Sequence, residues 1–284
     1  MDSVTGILFL SWDIRPDVSL TILVAGILYI LGWRRLRKRG RGRTASNWRL
    51  AAYLSGLAVL GLALMSAIDV FQSLLFLMHM IQHLLLVMIA PPLLLLANPM
   101  PFIMWGLPAR LRQAVSPIFR RRSAFRQALC KVTTPGISWF AFIIILIGWH
   151  DPGAYNASLR YDWLHDIEHI SFFTSGLLYW WHVIGAGPHI HKPLSYGFRS
   201  LYLIGTIPFN MFLGVTIAFA ESPIYTYYTK VPRLWGISVM NDQRVGGLIM
   251  WIPGSMMYII ATLVIVARIA NAGEREARLP AAVD

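Results

Sequence analysis

Residues 72–97 read QSLLFLMHMIQHLLLVMIAPPLLLLA, without a single Asp, Glu, Lys or Arg. About 20 apolar residues carry a helix across the hydrocarbon core of a bilayer, so this stretch predicts a membrane span. Pro91-Pro92 removes two backbone donors, which predicts a kink or a stop at that point. The apolar tail Leu93–Leu96 would then lie along the membrane surface. Six more apolar segments flank it, at 18–33, 49–67, 134–149, 164–185, 199–219 and 244–267. The expected fold is all-α: a polytopic transmembrane helical bundle of about seven spans, one integral membrane domain over residues 1–284.

Composition agrees. Of 284 residues, 56% are hydrophobic and 13% charged, against a charged share of about 25% in soluble domains. A soluble domain of this size lacks the interior to hide so much apolar surface. That argues against a disulfide scaffold, a disordered chain and an ordinary cytosolic enzyme. A net charge of +12 would suggest nucleic acid in a soluble protein. In a membrane protein it reads as basic loops on the cytoplasmic face, with lipid and not nucleic acid as the partner. The single cysteine, Cys130, rules out internal disulfides and a C-x-x-C motif.

Loop charges predict the orientation. Twenty of the 25 basic residues follow the first, third, fifth and seventh segments, the densest run being Arg34 to Arg49. The positive-inside rule places them in the cytoplasm, which gives an N-out, C-in topology and an odd number of spans. Ten of the 13 acids fall at the other face, among them Asp2, Asp13, Asp17, Asp69, Asp166 and Glu168. An acidic rim there would draw cations, or simply be solvated. Residues 1–17 lack a basic n-region and a cleavage site, so the first span reads as a retained anchor. The stretch 101–128 mixes Phe, Trp, Ile and Leu with Arg, predicting an amphipathic interfacial helix.

Eight histidines carry the chemical information. His79 and His83 are spaced i, i+4, as are His165 and His169, so each pair shares one helix face. His150 ends the fourth segment, beside Asp151. Such pairs can offer two nitrogens to one ion. A lone intramembrane histidine is most simply a hydrogen-bonded packing residue, and His182 is read so. Two pairs and a fifth ring on separate helices point instead to a metal or haem site. Imidazole suits copper, zinc, iron and nickel, and the nearby Met65, Met78, Met80 and Met88 favour copper. Asp151, Glu168 and Asp242 are candidates to orient ligand rings by accepting their second N–H; helix capping is the other reading of Asp242. His189 and His191 belong to a loop. Depth leaves one site or two open: on a continuous third helix His83 lies about 16 Å inward of residue 72, whereas His165 lies near the surface.

Three blocks also carry a family resemblance: HMIQHLLLVMIAPPLLLLANP (79–99), GWHDPGAYNASLRYDWLHDIEHISFFTSGLLYWW (148–181) and NDQRVGGLIMWIPG (241–254). They resemble the CtaG family of bacterial cytochrome c oxidase assembly proteins, over about residues 71–266. The resemblance implies a non-enzymatic assembly factor in the bacterial cell membrane, with oxidase subunits as partners and copper-centre maturation as its task. Two other classes fit the histidines: a bis-histidine haem-binding electron carrier, and a seven-span metal-dependent hydrolase with zinc held by three histidines and a carboxylate.

Overall fold

The computed structural model describes residues 6, 11–120, 122–185 and 190–277. Asp2, Arg121, His189 and Arg278 lie outside the described residues. Helices account for the regular structure, and there is no strand among the described residues. Five helical stretches are long and apolar enough to cross a membrane: Pro16–Lys38 (α1), Asn47–Met65 (α2), Phe76–Leu96, Tyr196–Ala218 and Val239–Asn271. A sixth arises if Ala124–Val132 (α8) and Pro135–Trp149 (α9), bent by 60°, form one span. The predicted 164–185 segment is also a helix, Asp162–Ile184 (α11), of 23 residues. Its acids and histidines keep its hydropathy below that of the other five. The chain is therefore a multi-pass helical membrane protein. Large apolar side chains cover its outside, for example Leu20, Leu23 and Ile27 on α1, Ile137, Phe140 and Ile144 on α9, and Leu263 and Val264 near the far end. Lipid is the natural solvent for such a surface.

Phe76–Leu96 is the most buried of the five. It is built from α4 (Phe76–Leu84), a π-turn (Leu85–Ile89) and α5 (Ala90–Leu96). The proline pair does not end it. Pro91 and Pro92 have no N–H to offer the preceding turn, so the Val87 carbonyl loses its helical donor. The Trp180 indole N–H supplies a replacement at 2.9 Å, and the π-turn absorbs the ring bulk. Leu94 and Leu95 are consequently buried, Leu94 packed among Tyr29, Tyr53 and Leu57 and Leu95 in the main core, and do not line the membrane surface as expected. This helix does begin later than expected. Ala67–Gln72 (α3) is a separate short helix, and a break at residues 73–75 precedes Phe76.

The stretch 101–128 also differs from the single amphipathic helix expected. It divides into Pro99–Gly106 (α6), Ala109–Val115 (α7), a 3-10 turn at Ser116–Phe119 and the start of α8. Pro99, Pro108 and Pro117 punctuate it, and each proline suits only a first turn. Phe102 is fully buried against Tyr29, so α6 packs in the bundle.

Pro152–Ser158 (α10) links α9 to α11. Tyr196–Ile204 (α12) and Ile207–Ala218 (α13) make up the next span, and Val239–Ala277 (α14) the last described helix. In α14 the Gly246-Gly247 pair permits two close contacts at once. A Cβ on Gly246 would sit 2.3 Å from the Phe76 ring, and one on Gly247 2.5 Å from the Ala218 nitrogen. Only glycine lets α14 touch α4 and α13 in this way.

Candidate metal centre

The N-terminus of α4 is capped from far along the chain. The backbone N–H groups of Phe76 and Leu77 donate to the two Asp242 carboxylate oxygens at 3.0 and 2.9 Å. Arg233 Nη2 donates to the same carboxylate at 2.9 Å. A carboxylate on the first N–H groups of a helix satisfies orphan donors and the helix dipole together. Asp242 thus fixes where α4 starts. His79 then falls within the first turn, near the outer end on the predicted orientation, and the depth mismatch with His165 disappears.

His79 and His83 share one face of α4, ring centroids 4.3 Å apart. His165 and His169 share one face of α11, centroids 4.0 Å apart. The faces oppose each other: His79 lies 5.2 Å from His165 and 6.3 Å from His169, and His83 lies 5.8 Å from His169. His150, at the C-cap of α9, adds a fifth ring 6.1 Å from His83. Glu168 sits between the pairs, fully buried. Its Oε2 is 3.8 Å from His79 Nε2 and its Oε1 is 3.5 Å from His83 Nε2. Ligand atoms of His79, His83 and His169 lie within 4.8 Å of one another, as do those of His79, His165 and Glu168.

Two rings have defined tautomers. His150 Nδ1–H donates to the Leu146 carbonyl at 2.7 Å, which leaves Nε2 as a lone pair. Tyr228 donates its hydroxyl proton to the Gln72 carbonyl at 2.8 Å. Its oxygen accepts from Tyr155, 3.2 Å away, and from His79 Nδ1–H at 3.4 Å. His79 Nε2 is therefore also a lone pair. Such outer hydrogen bonds fix the nitrogen that a metal-binding histidine presents. The Nε2 atoms of all five histidines and both Glu168 oxygens are buried without a hydrogen-bond partner. Buried polar atoms are rarely left so, and here they cluster in one place.

Not every expected residue joins the cluster. Asp151 accepts from the Gly153 and Ala154 N–H groups and caps α10. Asp242 caps α4. Neither orients a ring, whereas Glu168 stands among the rings as a ligand candidate itself. Met80 and Met88 line a cavity of about 40 Å³ beside His83 and His150, while Met65 Sδ accepts from Ser19. His182 Nε2 bonds to the Thr133 carbonyl at 2.9 Å as a packing residue. His191 lies beside Cys130 and Thr133, apart from the five.

The sequence reading missed the tyrosine layer. Tyr225 stacks on Phe76, and Tyr155 and Tyr228 pack tilted or edge-on against the same ring, beside the histidines. Burial pushes all three phenols up, so they stay protonated donors. Tyr225 donates to the His150 carbonyl at 3.1 Å. The cluster Y-T-Y-Y at 225–228 was the available signal, but interfacial belts use the same residues.

Among known proteins, the family model for cytochrome c oxidase caa3 assembly factor matches residues 27–272. An uncharacterized protein of Mycobacterium leprae is 28% identical over 95% of this chain, which covers 41% of that protein. Another, from Mycobacterium bovis, is 28% identical over 96% of this chain and again 41% of its own length. The chain thus spans about two fifths of the curated relatives it matches. No solved structure matches. The chain belongs to the cytochrome c oxidase caa3 assembly factor family.

Proposed function

We propose, with membership of the caa3 assembly-factor family as the premise, that this protein holds copper for the maturing oxidase. It would bind the ion through His79, His83, His150, His165 and His169 with Glu168, on the outer side of a bacterial cell membrane. It would release the ion to an oxidase subunit without catalysing a reaction of its own. What supports this reading is the set of buried, unpartnered Nε2 atoms around one carboxylate. Neutral imidazole is a good copper ligand.

Haem is a poorer fit. Ring pairs 4.0 to 5.2 Å apart leave no slot for a macrocycle between them. Zinc hydrolysis would use the same donors, and metal analysis discriminates. The expected outcome is copper retained by purified protein, with no haem absorption. In cells, His79→Ala, His83→Ala, His165→Ala and His169→Ala should each stay in the membrane yet yield oxidase deficient in copper and replete in haem. His191→Ala should be near neutral. Zinc in place of copper, or an oxidase with full copper in the paired variants, would overturn this function.

A further inference from the structure

Five imidazole nitrogens and two carboxylate oxygens make seven buried donors in one cluster. A four-coordinate ion uses four. The other three would stay desolvated and unpaired, at a cost that folded proteins avoid. Seven donors suit two ions of low coordination number.

Glu168 has the geometry of a bridge. Its two oxygens do not face one partner: Oε2 faces His79 and Oε1 faces His83, at 3.8 and 3.5 Å. Those separations are long for a charge-assisted hydrogen bond. They match the spacing of two ligands on a shared ion, since donors about 2.1 Å from a metal in a trigonal arrangement stand about 3.6 Å apart. His79 and His165 make one close group of donors with Glu168; Oε1 faces His83, and the His169 and His150 rings stand about His83 at 5.8 and 6.1 Å. We infer that the centre holds two copper(I) ions bridged by the Glu168 carboxylate.

Charge selects the oxidation state. Two monovalent ions, one carboxylate and neutral imidazoles leave a net charge of one in the buried site. Two divalent ions would leave three, and buried uncompensated charge is expensive.

This inference rests on the copper-binding reading above, and one experiment separates the two. The purified full chain is loaded anaerobically with excess copper(I), freed of loose metal, and assayed for copper per chain and by X-ray absorption. Two copper ions per chain with copper–copper scattering within about 4 Å are expected. One copper per chain, without that scattering, overturns the pair and leaves the copper-binding function standing. No retained copper defeats the function itself. In Glu168→Gln, stoichiometry should fall from two towards one and the copper–copper feature should vanish. Two ions with an unchanged spectrum in that variant would overturn the bridge. The wild-type measurement decides the pair even where a variant folds poorly.

Discussion

Asp69 shows how one side chain here couples to pH. Burial pushes its carboxyl up to about 6, against the opposing effect of the Gln82 amide, which donates to Oδ1 at 2.6 Å. Because the folded-state value is raised, the folded protein holds the proton more tightly than the unfolded chain. The stability that comes from the protonated form is complete below the unfolded value near 4 and is lost as pH rises through 6. Asn mimics the protonated acid and still accepts from Gln82. Asp69→Asn should therefore be more stable than wild type at pH 7, by on the order of 1–2 kcal/mol, and the difference should vanish near pH 4. Paired thermal unfolding at the two pH values checks this; a difference that grows on acidification would refute it. The histidine pairs were legible at this scale because a 3.6-residue period puts i and i+4 on one face. The place of Glu168 between them was not, because its own spacing from His165 and His169 says nothing of what α4 presents.

At the scale of elements, the helices were legible in the apolar segments, but their ends were not. Hydropathy runs unbroken through residues 73–75, so the start of α4 depends on Asp242, 166 positions from Phe76. A tertiary cap leaves no local trace in sequence. The survival of the helix through Pro91-Pro92 depends likewise on Trp180, a donor from another helix. Two contacts therefore hold the register of α4: the Asp242 cap and the Gly246 contact with Phe76. Asp242→Ala should leave the Phe76 and Leu77 N–H groups without their acceptors and take the carboxylate from Arg233, costing about 1–3 kcal/mol. It should also weaken copper retention although Asp242 touches no histidine. Gly246→Leu should push Phe76 aside and do the same. Retention equal to wild type in both variants would show that α4 keeps its place without them.

For the whole molecule, the basic residues give more than charge asymmetry. Arg35 donates to the Trp105, Gly106 and Leu107 carbonyls, closing the C-terminus of α6, while Arg39 and Arg112 stack on Trp105 at 4.3 and 4.4 Å. They pin α1 to α6 on the face predicted to be cytoplasmic. The histidine cluster belongs to the opposite end, where Arg15 bridges Asp17 and Asp166. In a Cys130→Ser background, Ala157→Cys should react with an impermeant maleimide in intact cells, and Gly42→Cys only after permeabilisation. The reverse pattern would invert the orientation and put the histidines inside.

The capping of α4 by α14 also sets an order of events. A growing chain emerges from its N-terminal end, so the histidine helix enters the bilayer while its first turn is open and its carboxylate partner has yet to be made. The Phe76 and Leu77 N–H groups wait for Asp242, 166 positions after Phe76. The histidine cluster is finished only when the last described helix docks, so on the proposed function readiness to take up an ion would be a sign that the bundle is complete.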